Sequence, residues 1–288
     1  MTTKSILQLH LFTIFTLLAH VKAEDALVVG DSTITRDRVN MALHVPATAD
    51  KPHGPMGVLV FFGGVGDSID YYQKAFTEMA DKLDLIVIIP QMPWFDKRGE
   101  VDTPGVIKVL DDVVTQIETQ FHTDPNLRLV GGASAGGAPA HDLTKKWGAK
   151  VPFQLLHSTV DSAWVKGPRL LHLVGRNETG WLGTDAHSGQ GFDINNKDLY
   201  AVPDEDHQVH FRHMQPWLET ELSAWRIINM SSKRGRGEDE AALNYLKKSY
   251  DLLSETLQGD DAFLQYQNKR RKELCTKLKA LNPEPKLE

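Results

Sequence analysis

Apolar residues occur along this chain in two kinds of pattern. Short continuous runs, typical of strands buried on both faces of a sheet, alternate with segments whose apolar residues recur every three or four positions, as on one face of a helix. The runs span residues 57–62, 85–89, 127–130, 153–156, 170–174 and 199–202. Helical spacing covers 70–83 and 105–121, and a further helix is expected from Pro216 to Met230. This alternation predicts a mostly parallel sheet with helices on both faces.

Weaker patterns surround these segments. Residues 26–29 and 39–45 are interpreted as edge strands joined by a turn, and 46–56 as a loop because it contains three prolines and a glycine. Asp124-Pro125-Asn126 is expected to turn the chain into the strand that starts at residue 127. Residues 175–198 are rich in Gly, Asp and Asn and are interpreted as one long loop.

The composition changes beyond residue 232. A basic, glycine-containing linker from Lys233 to Gly237 precedes two stretches with apolar residues at helical spacing, 243–257 and 263–281. We expect an α/β domain over 24–232 and a helical hairpin extension over 233–288. The apolar stripes of the hairpin suit either docking on the domain or contact with a protein partner or a second copy of the chain.

The first 23 residues resemble a secretory signal peptide. A short basic start is followed by an apolar stretch, Ile6 to Val21, and by small Ala23 before acidic residues. We expect cleavage near Ala23 and a secreted or periplasmic product without a stable membrane span, the alternative being an uncleaved anchor. Cleavage would remove two lysines and change the formal net charge from −6 to −8, which argues against nucleic acid as a partner. Cys275 is the only cysteine, so no intrachain disulfide can form.

Residues 132–136 read Gly-Ala-Ser-Ala-Gly, directly after the apolar run 127–130. Gly-X-Ser-X-Gly between a strand and a helix is the pattern of a nucleophile elbow, in which the serine occupies a strained turn. Ser134 is therefore the candidate nucleophile. No Lys-Ser or Lys-Thr pair follows, as a phosphate-binding loop would require.

A nucleophilic serine needs a base, an acid that orients the base, and donors for the oxyanion. His207 follows the last predicted strand and is the preferred base, with His210 and His213 as alternatives. Glu178 follows the strand at 170–174 and is the preferred acid. Asp161, Asp185 and Asp193 are the alternatives to Glu178.

The oxyanion donors are expected to be backbone N–H groups. Ala135 follows the nucleophile directly, and Gly64 or Val65 lies in the glycine-rich turn after the strand at 57–62. Trp94 and Trp181 lie in loops expected to border the site, where they could bind the substrate. We expect neither a metal nor a cofactor, although His207 and His210 with a carboxylate would suit a metal ion.

Four segments in this order resemble the α/β-hydrolase superfamily: GVLVFFGG at 57–64, TDPNLRLVGGASAGG at 123–137, LLHLVGRNE at 170–178 and VPDEDHQVH at 202–210. The chain is most similar to the secreted esterase branch, which includes polyhydroxybutyrate-depolymerase-like and feruloyl-esterase-like proteins. The resemblance implies an α/β-hydrolase fold, a small or polymeric ester substrate and no cofactor.

The sequence departs from that family in several places. Phe62 precedes the glycines where many relatives have His, Ala133 replaces a larger polar residue, and the acid is Glu rather than Asp. The helical extension matches nothing in the family. A non-catalytic protein of the same fold, acting as a binding module or scaffold, and a serine peptidase therefore stay as alternatives.

Overall fold

The computed structural model describes residues 26–50, 54–93, 102–159, 165–178, 191–194, 196–203, 205–231 and 240–281. Within these ranges, nine strands form one sheet. In chain order they are β1 (Gly30–Arg36), β2 (Val39–Val45), β3 (Met56–Phe62), β4 (Leu85–Pro90), β5 (Thr123–Ala133), β6 (Phe153–His157), β7 (Arg169–Gly175), β8 (Gly191–Ile194) and β9 (Lys197–Val202). The α-helices of the described residues are α1 (Ile69–Leu83), α2 (Thr103–Gln120), α3 (Gly137–Trp147), α4 (Phe211–Ser231), α5 (Glu240–Ser254) and α6 (Ala262–Leu281).

The sheet order is β1-β2-β4-β3-β5-β6-β7-β9-β8. The six strands from β4 to β9 in this order run parallel, while β1, β2 and β8 pair antiparallel at the two sides. The predicted fold class, a mostly parallel sheet with flanking helices and a helical C-terminal extension, is confirmed. Because parallel strands direct their carboxyl ends to one edge, the segments after β3, β5, β7 and β9 share that edge.

Two apolar layers cover the sheet. On one face Leu59, Phe61 and their neighbours pack with α1 and α4, and on the other Val58, Val60 and Phe62 pack with α2 and α3. The alternate residues of one strand thus supply both layers, because successive side chains of a strand point to opposite faces. Continuous apolar runs such as 57–62 follow from burial on both sides.

Several predicted boundaries were wrong. The first strand is Gly30–Arg36, not 26–29: it pairs with β2 through a tight hairpin whose Asp37 and Arg38 have φ of 44° and 69°. The predicted turn at 124–126 lies within β5, where the register against β3 shifts. β8 occupies part of the predicted loop 175–198.

The predicted helix start at Pro216 was also wrong. Helix α4 begins at Phe211, five residues earlier, and includes Pro216. The N–H groups of His213 and Met214 both bond the carbonyl of His210, so the first turn is already formed before the proline. The proline therefore falls in the second turn, where it removes one backbone hydrogen bond.

The helical hairpin α5–α6 packs on α4 rather than standing apart. Leu252, Phe263 and Leu264 from the hairpin belong to the same apolar layer as α1 and α4. Arg271 is buried and its guanidinium donates to Glu219 Oε2 (2.7 Å) and to Thr220 Oγ1 (2.9 Å), both on α4. Much of the hairpin's apolar stripe is thus covered by the chain itself.

Candidate functional site

Ser134 stands at a sharp turn between β5 and α3. Its φ is 51°, in the left-handed region that non-glycine residues seldom adopt, and a 3-10 turn over Ser134–Gly136 leads into the helix. The two glycines of the motif are needed because neighbouring backbone atoms lie where a Cβ would be. A Cβ on Gly132 would lie 2.2 Å from the carbonyl oxygen of Gly136, and one on Gly136 would lie 2.2 Å from that of Phe62. The backbone at Ser134 therefore has the form expected of a nucleophile elbow.

The glycine-rich turn after β3 lies against Ser134. Phe62 at the end of β3 pairs with Gly132, and a Cβ on Gly64 would lie 3.2 Å from the Cβ of Ser134. The N–H of Gly64, however, donates to Asp67 Oδ2 at 2.6 Å. This N–H is engaged within the turn, so of the two expected oxyanion donors, Gly64 and Val65, the first is already paired.

The Asp67 carboxylate organises this turn. Its Oδ2 accepts the Gly64 N–H and also the Tyr72 hydroxyl, the latter at 2.6 Å. Burial raises the pKa of Tyr72, and the hydrogen bond to Asp67 and its negative charge raise it further, so the phenol keeps its proton. A protonated phenol that donates to Asp67 fixes the carboxylate, which in turn fixes the backbone of the turn. Neither residue belongs to a motif that the sequence predicts as part of a site, although Asp67 follows the glycine run directly.

His207 lines the same cavity as Ser134. The cavity has a volume of about 290 Å³ and is also lined by Gly64, Asp67 and Ser158. The alternatives His210 and His213 line a neighbouring cavity with Asp261 instead. Burial lowers the pKa of His210 to about 4, with the charges of His213 and His207 as further causes. Of the three histidines, His207 is the one that lines the cavity of Ser134 in the described part of the chain.

Glu178 follows β7 in a short 3-10 turn, Arg176–Glu178, whose backbone lies beside the segment that carries His207. The N–H of Asn177 donates to the carbonyl of Glu205 (3.4 Å), and Asn177 Nδ2 donates to Asp206 Oδ1 (3.1 Å). A Cβ on Gly175 would lie 2.4 Å from the Glu205 carbonyl, so the two segments approach as closely as a glycine permits. The backbone bearing Glu178 is therefore adjacent to the residues that precede His207.

Several predicted site residues lie outside the described part of the structure. These are Trp94, Trp181, Asp161, Asp185 and the side chains of Glu178 and Asp193. The described mouth of the cavity carries Val65, exposed to 49%, and Tyr71, exposed to 56%. Tyr71 belongs to no motif that marks a site residue, and Tyr72 next to it is the one that lies on the buried face of α1.

The described residues offer neither a metal site nor a membrane-spanning helix. Across the described ranges, no three His, Cys, Asp or Glu side chains are grouped so that they could hold a metal ion. Within those same ranges no helix combines the length and the apolar character needed to cross a bilayer.

No protein-family model matches the chain, and no curated protein matches its sequence. Solved structures are similar at low identity. LpqC, a poly(3-hydroxybutyrate) depolymerase from Bordetella parapertussis, is 17% identical with a TM-score of 0.45, over 76% of this chain and 95% of that one. XC6422 from Xanthomonas campestris, an α/β serine hydrolase without a lid, is 15% identical with a TM-score of 0.48, over 70% and 98%. FphF, a fluorophosphonate-binding serine hydrolase of Staphylococcus aureus, is 14% identical with a TM-score of 0.44, over 65% and 94%.

The strand order and the place of Ser134 define the architecture. An antiparallel β1–β2 pair lies beside parallel strands in the order β4-β3-β5-β6-β7-β9, and a strained serine leaves the central strand β5 at the carboxyl edge. Helices α1 and α4 cover one face, and α2 and α3 cover the other. The chain has the α/β-hydrolase fold.

Proposed function

We propose that this chain is a secreted or periplasmic serine hydrolase that cleaves carboxylic esters, with Ser134, His207 and Glu178 as its triad. The observation that carries the proposal is the strained Ser134 at the start of α3 in a cavity that His207 also lines. A serine in a strained turn, beside a histidine that can take its proton, is the arrangement that nucleophilic acyl transfer requires. The leader-like residues 1–23 motivate the location.

The proposed reaction has two halves. His207 accepts the proton from Ser134 Oγ as the oxygen attacks the ester carbonyl, and it returns that proton to the departing alcohol. Water then attacks the acyl-enzyme, His207 again taking the proton, and Ser134 is released with the acid product. Glu178 orients the imidazole and stabilises its protonated form. The N–H groups of Ala135 and Val65 bind the negative oxygen of each tetrahedral intermediate.

The environment of the cavity supports these roles. Val65 lies in a turn that Asp67 and Tyr72 hold in place, so its backbone is organised before substrate binds. Preorganised donors stabilise developing charge because they need not reorient during the reaction. The exposed Val65 and Tyr71 side chains at the mouth offer apolar surface to an acyl or aromatic group. Trp94 and Trp181 stay proposed substrate contacts.

The proposal is tested with a fluorophosphonate probe, which labels an activated serine covalently. The purified wild-type chain is expected to label, Ser134→Ala to lose labelling, and His207→Ala to label at least 100-fold more slowly, in line with the roughly 10²–10⁴-fold contribution of general-base catalysis. His122→Ala, at an exposed histidine that does not line the cavity, is the control and should label normally. A folded wild-type protein that never labels would support the non-catalytic alternative instead.

The same preparation distinguishes ester from amide cleavage. Hydrolysis of short-chain nitrophenyl esters by the wild type, absent in Ser134→Ala, is the expected result. Turnover of peptide amides at comparable kcat/KM would favour a serine peptidase on the same fold.

A further inference from the structure

The segment that carries His207 is held by the end of β6. Ser158 Oγ donates to the carbonyl of Gln208 at 3.1 Å, and the N–H of His210 donates to Nδ1 of His157 at 3.3 Å. These bonds hold the chain at the positions one and three residues after His207. His157 is fully buried and Ser158 is exposed to only 1%, and the bond between His157 and His210 is shielded from water.

The end of β6 also contacts the other parts of the proposed triad. His157 pairs with Ala133, the residue before Ser134, on one side and with Leu173 of β7 on the other. The N–H of Ser158 donates to the Leu173 carbonyl at 2.8 Å, and Ser158 lines the cavity with Ser134 and His207. Ser158 has a φ of 49°, a conformation that costs free energy and persists only where its surroundings enforce it. One strand end thus lies between the serine, the base and the strand that leads to Glu178.

The chemistry of His157 suits a fixed hydrogen-bond acceptor. Its Nδ1 accepts the His210 N–H, so the neutral ring carries its proton on Nε2. Burial lowers the pKa of His157 well below its ordinary value, and the charges of His210, His172 and His213 lower it further. The ring therefore stays neutral and keeps the lone pair on Nδ1. The Phe61 ring packs edge-on against the imidazole with centroids 5.9 Å apart, which limits its rotation.

We propose that His157 and Ser158 are positioning residues that hold the 205–210 segment so that His207 stays in place against Ser134. This inference rests on the proposed function. Neither residue touches the reacting atoms through its hydrogen bonds; each acts through the backbone of the segment that bears the base. A displacement of about 1 Å in such a group costs on the order of 100-fold in rate.

A matched pair of variants at residue 157 tests the proposal. His157→Leu removes the acceptor, whereas His157→Asn places an amide oxygen near the position of Nδ1 and keeps it. Each folded variant is assayed for kcat and KM on a nitrophenyl ester and for its rate of labelling by the fluorophosphonate. We expect His157→Leu to lose about 100-fold in kcat and labelling rate, with KM changed little, and His157→Asn to recover most of the loss. A merely structural role would lower the active fraction, not the rate at each active site.

Ser158→Ala is the second variant, and it decides the question if His157→Leu does not fold. Loss of the bond to Gln208 is expected to lower kcat and the labelling rate about 10-fold, as one positioning contact would. Wild-type rates in folded His157→Leu, or in Ser158→Ala when His157→Leu fails to fold, would overturn the inference. That result differs from failure of the proposed function, in which the wild type itself does not label and Ser134→Ala matches it.

Discussion

Two backbone segments touch at the proposed catalytic centre because residue 136 has no side chain. The carbonyl oxygens of Phe62 and Gly63 would lie 2.2 Å and 2.7 Å from a Cβ at this position. Both carbonyls are backbone groups at the end of β3 and in the turn after it. No change of side-chain rotamer can therefore relieve the clash. The close approach of the Ser134 turn to the glycine-rich turn after β3 thus depends on the absence of a Cβ at residue 136.

Gly136→Ala is expected to separate these two segments. The added methyl group should cost about 1–3 kcal/mol in the free energy of unfolding, as overpacking does. The displacement should also lower kcat about 100-fold, because the donors would no longer meet the oxyanion. Urea unfolding and ester hydrolysis measure the two effects. Ala138→Ser, at an exposed position two residues along, should change neither, and an active, stable Gly136→Ala would contradict the account.

The sequence predicts some residues of the proposed site and gives no sign of others. Motif and chain order predict Ser134 and His207, and both residues line one cavity. Asp67, Tyr72, Ser158 and His157 could not be predicted, because their contacts are hydrogen bonds that form only in the folded chain. No spacing rule encodes such contacts, and an alternating or helical pattern assigns these residues only to a face.

Among the elements, the strands with apolar runs were predicted to within a few residues, and the polar ones were missed. β1 has the sequence GDSTITR and alternates between half-buried and exposed positions at the side of the sheet, so it has no apolar run. β5 contains Asp-Pro-Asn, normally a turn signal, which the register shift against β3 accommodates. Tertiary pairing overrides local propensity in both cases.

The C-terminal hairpin is joined to the domain by buried charges as well as by apolar contacts. Arg271 on α6 pairs with Glu219 on α4, which also contacts Lys82 of α1 at 2.7 Å. Burial would raise the pKa of Glu219, but the hydrogen bonds from Lys82 and Arg271 outweigh it and lower the pKa. Glu219 is therefore ionised in the interior and needs both cations.

Arg271→Met should consequently destabilise the whole chain. Removing one partner of a buried pair leaves the other charge uncompensated, which costs about 3–5 kcal/mol. Urea unfolding is expected to show this loss in a single transition, because the hairpin shares the apolar layer of α1 and α4. Lys269→Met, at an exposed position on the same helix, is the control and should lie within about 0.5 kcal/mol of the wild type. A separate early transition of the hairpin would contradict this coupling.

At the scale of the whole molecule, the interior beside the proposed site holds several histidines. His157, His210 and His213 are each exposed to 5% or less. Burial lowers the pKa of all three, and only for His213 does a nearby carboxylate, Asp261, oppose the effect. The positive charge of Arg212 lowers the pKa of His213 further, whereas the negative charge of Glu205 raises it. The fold therefore requires these rings to be neutral, whereas an unfolded chain protonates them near pH 6.5.

This difference predicts a loss of stability on mild acidification. Because the unfolded state binds protons that the folded state excludes, the free energy of unfolding should fall as pH drops below about 6.5. For His210 the fall continues to a pH of about 4, at about 1.4 kcal/mol for each pH unit. Urea titrations at pH 7.5, 6.5 and 5.5 measure it, above the range in which Glu219 protonates. His210→Gln should flatten the dependence, whereas His122→Gln, at an exposed position, should preserve it. Stability that stays constant across this range would mean that the buried rings accept protons in the folded state.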